Sequence, residues 1–229
     1  MAIEKEYQRM NKQFPFGHRL IIDWKKEVFS TPYLHKYGGV PTNGAKLPNC
    51  HGCGNRFHLL FQIDLADPSM NYLGIDNLDF LFFFSCLNCA TYENTMYYTQ
   101  GNRGKKIVIL QEKPGKFVKE YPAILDEHPV VYRILEEDDY PLTEDTLSLL
   151  LSQEGKHQLG GMATWIQHVE QVPCNKCGNT MSNLAMIDSE LYIGNDGFRE
   201  KGHMFGDEGI LYIFYCRECG VFATRAQSL

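Results

Sequence analysis

The chain lacks any long apolar segment. No window of its 229 residues approaches the roughly 18 uninterrupted apolar residues of a membrane-spanning helix. The first ten residues, MAIEKEYQRM, also lack the basic and apolar regions of a secretory signal. We therefore expect a cytoplasmic protein without a membrane partner. Apolar residues still make up 44% of the chain, which is enough for a globular core.

The chain also has no excess of basic residues. Its 22 lysines and arginines are outnumbered by 28 aspartates and glutamates, and the formal net charge is −6. An acidic protein repels phosphate backbones at long range unless its cations are concentrated on one face. The short segment 103–106 is the basic stretch that stands out. Nucleic acid is thus a disfavoured partner, although 13 tyrosines and 14 phenylalanines keep base stacking open as an alternative.

No cysteine in the sequence is isolated. Two residues between cysteines is the spacing at which a tight turn presents both sulfurs to one tetrahedral metal ion, and two such turns complete a closed site. The sequence therefore predicts two structural zinc ions per chain, each bound by four cysteines. The eight predicted ligands form four C-x-x-C pairs: Cys50 and Cys53, Cys86 and Cys89, Cys174 and Cys177, Cys216 and Cys219.

The residues around these pairs refine the prediction. Gly54, Gly178 and Gly220 each follow a pair, where glycine lets the turn close and point amide hydrogens at sulfur. Ala90 takes this position after Cys89, so that turn is expected to be looser. His51 and His58 lie near the first pair, and the sequence leaves open whether one of them replaces a cysteine as ligand.

Three other uses of the cysteines are less compatible with the sequence. Disulfides are disfavoured by the expected location, and no thioredoxin-like pattern accompanies a redox C-x-x-C. Cysteines buried as small apolar residues would not recur in regular pairs. Two cations, Lys176 and Arg217, lie inside the turns of the second site and should offset part of its negative charge. We therefore expect a chelator to remove the first ion more easily.

The two halves of the chain share a pattern. His35 begins H-K-Y-G-G and His157 begins H-Q-L-G-G; each is followed by a C-x-x-C, an apolar run ending in I-D, and a second apolar run leading into a C-x-x-C. A shared order with insertions confined to loops indicates a duplicated fold. We predict one pseudo-duplicated domain over residues 1–229, with repeats at about 18–118 and 140–229.

The expected fold class is α+β and β-dominated, with internally duplicated antiparallel sheets, each half carrying a four-cysteine site like that of a zinc ribbon. Short aromatic or β-branched runs bounded by turn residues are typical of strands. Helices are predicted at 143–153, which begins with a suitable N-cap, and at 3–12. The predicted strands are 57–64, 79–86, 106–110, 183–188, 210–216 and 221–224.

This order of features resembles the bacterial YwqG-like family. The resemblance covers about residues 30–229 and includes L-G-G-M-A-T-W-I-Q from Leu159. The same order is more distantly similar to programmed cell death protein two and its relatives, which are dedicated chaperones of a ribosomal protein. Ala163 departs from both patterns, which usually have proline there. The resemblance implies a zinc-bearing β fold without enzymatic activity, in a protein that neutralises a toxin or acts as a chaperone.

The main alternative to protein binding is a zinc-ribbon protein that binds nucleic acid, which the acidic composition disfavours. Beside this alternative, two functional hypotheses compete. The first is a protein-binding module with structural zinc, for which the acidic run Glu136, Glu137, Asp138 and Asp139 is a weak candidate contact surface. The second is a zinc hydrolase or deaminase, because H-x-E at His168 and Glu170 precedes P-C-x-x-C at Pro173. In deaminases these two parts lie on separate helices, whereas only two residues separate them here. We therefore predict no catalytic residues.

Overall fold

The computed structural model describes residues 14, 16–25, 32–89, 94–113, 115–135, 156–190, 192–193, 199–206 and 209–228. Their secondary structure is almost entirely β, with a single 3₁₀ helix at Pro68–Leu73 and no α-helix in these ranges. None of their helices is long and apolar enough to cross a membrane. The two predicted helices, 143–153 and 3–12, lie outside the described residues.

The described residues contain thirteen strands. In the first part of the chain they are β1 (Gly17–Ile22), β2 (Lys36–Tyr37), β3 (His58–Asp64), β4 (Phe80–Ser85), β5 (Met96–Gly101), β6 (Lys106–Gln111) and β7 (His128–Ile134). In the second part they are β8 (Gln158–Gly160), β9 (Ser182–Asp188), β10 (Tyr192–Ile193), β11 (Arg199–Lys201), β12 (Gly209–Cys216) and β13 (Val221–Ser228).

Eleven strands form one curled antiparallel sheet in the order β4-β3-β2-β7-β1-β8-β9-β12-β13-β5-β6, and β10 and β11 form a separate pair. The two sheets that we expected, one in each half, are not what the structure has. β1 of the first part of the chain pairs with β8 of the second, and β5 of the first part pairs with β13 of the second, whereas β7 pairs with β2 within the first part. The pairings between the two parts join them in one sheet.

Part of the strand order is nonetheless symmetrical. Outward from the pair of β7 and β1 lie β2, β3 and β4 on one side and β8, β9 and β12 on the other, after which β13, β5 and β6 extend the second side alone. The paired glycines occupy matching places, with Gly38 and Gly160 both in the left-handed region at φ of 66° and 68°. A Cβ on Gly160 would lie 2.4 Å from the carbonyl oxygen of Phe16, so only glycine fits there.

All six strands predicted from the sequence are confirmed, within one to four residues at their ends. The other strands escaped prediction because β2 and β8 have only two and three residues, and β1, β5 and β7 mix polar with apolar residues without strict alternation. Residues 81–84, in the middle of β4, are all fully buried, as in a strand that is covered on both faces.

Candidate metal centres

The first C-x-x-C turn is built by backbone hydrogen bonds around Cys50. The amide of Gly54 donates to the carbonyl of Cys50 at 2.9 Å, and the Cys50 amide donates to Asn55 at 2.8 Å. Gly54 has a φ of 74°, which a residue with a Cβ adopts only under strain. The amide of Gly52 points at the Cys50 sulfur, 3.3 Å away. The turn therefore presents both sulfurs on one side, as a metal requires.

The second pair of the first centre follows the end of β4. The amide of Leu87 donates to Nδ1 of His58 at 3.2 Å, which holds this turn against β3. Cys89 forms an isolated antiparallel bridge with Phe117, so a later segment covers the turn where glycine is absent. The two turns bring the sulfurs of Cys53 and Cys86 to within 3.6 Å of each other.

The second centre repeats this local geometry. The Gly178 amide donates to the carbonyl of Cys174 at 2.9 Å, and the Gly220 amide donates to Cys216 at 2.9 Å. The amide of Lys176 points at the Cys174 sulfur at 3.4 Å. The equivalent of β4 is β12, which leads directly into this centre. Two separate parts of the chain therefore converge in each half in the same way.

The eight cysteines form two compact groups suited to two metal ions. All are free thiols. Within each group the four sulfurs lie within 4.8 Å of one another. A tetrahedral ion with metal–sulfur bonds of about 2.3 Å separates its sulfurs by about 3.8 Å, so the observed spacing fits a single ion. The groups are Cys50, Cys53, Cys86 and Cys89, and Cys174, Cys177, Cys216 and Cys219.

The two centres differ in exposure. In the first centre three sulfur-bearing residues are buried and Cys53 is half-buried. In the second centre two are buried, Cys219 is half-buried and Cys177 is exposed. Each centre nevertheless borders an apolar cluster: Cys50 belongs to the larger core and Cys174 to a smaller one with Met181 and Phe214. Loss of a metal would therefore disturb packing as well as the turns.

The ionisation of the thiols fits a bound cation. Burial opposes ionisation of Cys174, but the amides of Cys177 and Lys176 outweigh it and lower its pKa to about 7. Burial and the neighbouring Cys53 raise the pKa of Cys89 to about 12. The hydrogen bond with Cys177, more than burial, raises the pKa of Cys219 to about 12. Neighbouring thiolates oppose one another, and a divalent cation would supply the missing positive charge.

Neither histidine near the first centre belongs to its group of sulfurs. Nδ1 of His51 lies 3.1 Å from a carboxylate oxygen of Glu112. His58 uses both ring nitrogens elsewhere, with Nε2 lying 3.1 Å from the Pro122 carbonyl oxygen and Nδ1 accepting from Leu87. The question that the sequence left open is therefore resolved in favour of four cysteines in each group.

The deaminase-like residues also lie outside the metal groups. The His168 ring lies 3.3 Å from the Glu170 carboxylate, and Glu170 is 3.2 Å from the guanidinium of Arg225. These contacts hold the chain ahead of Pro173 against β13. The acidic run at Glu136, Glu137, Asp138 and Asp139 falls outside the described residues, so its suggested role stays a prediction.

Sequence reasoning found the repeated histidines but missed their contacts. Nδ1 of His35 accepts from the backbone amide of Asp64 at 3.3 Å, and its Nε2 lies 3.0 Å from Asp67. Nδ1 of His157 accepts from Asp188 at 3.1 Å, and its Nε2 lies 2.8 Å from Glu190. Each histidine, which directly precedes β2 or β8, thus connects that short strand to the end of the next one, β3 or β9.

In these two histidine–acid pairs both histidines and Asp67 are buried, whereas Glu190 is half-buried. His35 and Asp67 are each 2% exposed, and His157 is 1% exposed. The Tyr132 hydroxyl donates to Asp67 at 2.6 Å and so satisfies the same carboxylate. Buried, satisfied hydrogen bonds fix a unique arrangement of the strands. The signal that could have revealed them was the recurrence of I-D after the H-x-x-G-G pattern.

Comparison with known proteins adds no family assignment. No protein-family model matches the chain, and no curated protein matches it significantly.

Proposed function

We propose that this chain is a non-enzymatic protein in which two structural zinc ions stabilise a β-sheet that binds another protein. The proposal that the chain binds two metal ions rests on the convergence of four sulfurs at each centre. A tetrahedral set of four thiolates is typical of zinc or of iron–sulfur sites. Sulfurs within 4.8 Å of one another suit a single ion, whereas a multi-iron cluster separates its cysteines further. Zinc is the single ion that we propose.

A structural role is supported by the completeness of each donor set. Catalytic zinc sites use three protein ligands and keep a fourth position for water. Four cysteines leave no such position. The histidines of the two histidine–acid pairs, which are the other groups with catalytic chemistry, are buried and already hydrogen-bonded within the fold.

Substitution with cobalt tests whether the centres are closed. Cobalt bound by four thiolates gives intense visible absorption, and a closed site leaves this spectrum unchanged when cyanide or azide is added. We expect no change at either centre. A shift on addition of either anion would reveal an exchangeable position and would favour the hydrolase or deaminase hypothesis instead.

Protein binding is the part of the proposal that rests on the resemblance to YwqG-like proteins and, more distantly, to programmed cell death protein two. On this proposal the bound protein is either a toxin that the chain neutralises or a protein for which the chain is a dedicated chaperone. Affinity capture with the full zinc-loaded chain tests it. We expect one protein to co-purify in stoichiometric amount and to be lost when the metal is removed. Recovery of nucleic acid in place of a protein would favour the zinc-ribbon alternative.

A further inference from the structure

Strand β6 forms one edge of the large sheet. It pairs with β5 alone, and no other strand of the described ranges lies along its outer side. The unpaired N–H and C=O groups of an edge strand are a template to which an extended segment of another protein can add. β6 has six residues, K-I-V-I-L-Q, which is long enough to pair with such a segment.

The opposite edge of the sheet is protected in a way that β6 is not. β4 lies there, and its central residues 81–84 are fully buried. The Gln100 side chain also bonds the backbone of Phe82, accepting from its amide at 3.1 Å and donating to its carbonyl at 2.9 Å. On β6, by contrast, Val108 and Leu110 are each 38% exposed. An added strand at β6 would cover these apolar side chains.

The charge around β6 is opposite to that of the whole chain. Residues 103–119 contain six lysines and arginines but one acidic residue, Glu112, in a chain with a formal net charge of −6. Glu112 is engaged by the backbone and ring of His51. Arg103 pairs with Asp79, which leaves five exposed lysines along this part of the surface. An extended segment rich in acidic residues is therefore the complementary partner.

A second exposed segment continues this surface beside the first metal centre. Phe117 and Val118 are 62% and 53% exposed. Their backbone is anchored, because Phe117 bridges Cys89 and the amide of Val118 donates to Asn88 at 2.9 Å. Lys116 and Lys119 flank them. Apolar side chains between lysines suit a partner that alternates apolar and acidic residues.

We propose that β6 is the partner-binding edge, and that it receives an extended segment of alternating acidic and apolar residues, which joins the sheet as an additional strand. The inference rests on the proposed protein-binding function and names the chemistry of the partner. A phosphate backbone is the less suitable occupant, because it cannot add a strand and does not cover Val108 and Leu110. If no strand were added at β6, the lysines would serve only to prevent edge-to-edge aggregation.

The test uses the zinc-loaded chain and an eight-residue peptide that alternates valine and glutamate, measured by calorimetry and amide hydrogen exchange. We expect it to bind at least ten times more tightly than a peptide alternating valine and lysine, and to slow exchange in residues 106–111. Binding without protection of these amides, no binding at millimolar peptide, or tighter binding of oligothymidylate would each overturn the inference.

Paired charge reversals make the test specific. Lys106→Glu with Lys116→Glu should weaken binding of the acidic peptide at least tenfold. Lys25→Glu with Arg133→Glu changes the net charge equally, at exposed positions after β1 and on β7, and should change binding less than twofold. Equal loss in both variants would mean general charge attraction and refute the site. If the first variant still captures the natural partner, the edge assignment fails while the proposed protein-binding function stands.

Discussion

The sulfur of Cys177 lies 3.7 Å from that of Cys216, although the two residues are 39 positions apart in the chain. Only the folded sheet brings them together, because Cys216 ends β12 while Cys177 belongs to the turn ahead of β9. Metal binding at this group would therefore be coupled to folding. An ion that bridges such distant segments can supply about 10–16 kcal/mol, as much as the whole net stability of a typical domain.

The two centres should release their ions in a definite order. The charges of Lys176 and Arg217 led us to expect that the first ion is lost more easily. The structure favours the opposite order, because Cys177 is exposed whereas three ligands of the first centre are buried. The Arg217 guanidinium also donates to the carbonyl of Leu73 at 3.0 Å, so this cation already has a hydrogen-bond partner away from the sulfurs.

Timed alkylation in the presence of a chelator measures this order. We expect Cys177 and Cys219 to be modified several times faster than Cys53 and Cys89, as mapped by mass spectrometry. Faster modification of the first centre would restore the electrostatic argument and show that exposure does not control metal release.

Gly160 should be far less replaceable than Gly44. Both have positive φ, 68° and 76°, so alanine at either position costs about 1–2 kcal/mol from the backbone alone. A Cβ at Gly160 would also meet the backbone oxygen of Phe16 at 2.4 Å, whereas a Cβ at Gly44 has no neighbour within 4 Å.

Urea unfolding of the zinc-loaded variants tests this difference. Gly160→Ala should lose a further 1–3 kcal/mol or more relative to Gly44→Ala, from steric overlap in the packed sheet. Equal losses for the two variants would show that the approach of β1 to β8 is looser than the structure indicates.

His203 should make the folded protein sensitive to mild acid. It is fully buried, and burial together with the neighbouring His157 holds its pKa well below 6.5. Its Nδ1 lies 3.1 Å from the Tyr37 hydroxyl, while Nε2 has no hydrogen-bond partner in the structure. Below pH 6.5 the unfolded chain gains a proton that the folded chain excludes, so stability is present above this pH and falls as the pH decreases.

Comparison of wild type with His203→Gln isolates this effect. The wild-type free energy of unfolding should fall by up to about 1.4 kcal/mol more per pH unit between pH 6.5 and 5.5 than that of the variant. Acid release of zinc and the buried His18 and His58, whose pKa values burial also lowers, contribute to both proteins alike. Parallel pH profiles would contradict the assignment.

The sequence was sufficient to predict the two groups of four cysteines because C-x-x-C spacing is a local property that survives folding. It was also sufficient for long apolar strands such as β4 and β12. It could not provide the pairing of β1 with β8 and of β7 with β2, since two- and three-residue strands carry too little pattern to predict. The contacts of His35 and His157 likewise depend on where the strands end in space, which no local signal specifies.

The most direct test of the account is the metal content of the freshly purified chain, measured by elemental analysis together with a count of reactive thiols. Two zinc ions per chain, with the eight thiols reacting only after a chelator or unfolding, is the predicted result. Less than stoichiometric metal, iron in place of zinc, or eight thiols that react freely in the folded protein would contradict it.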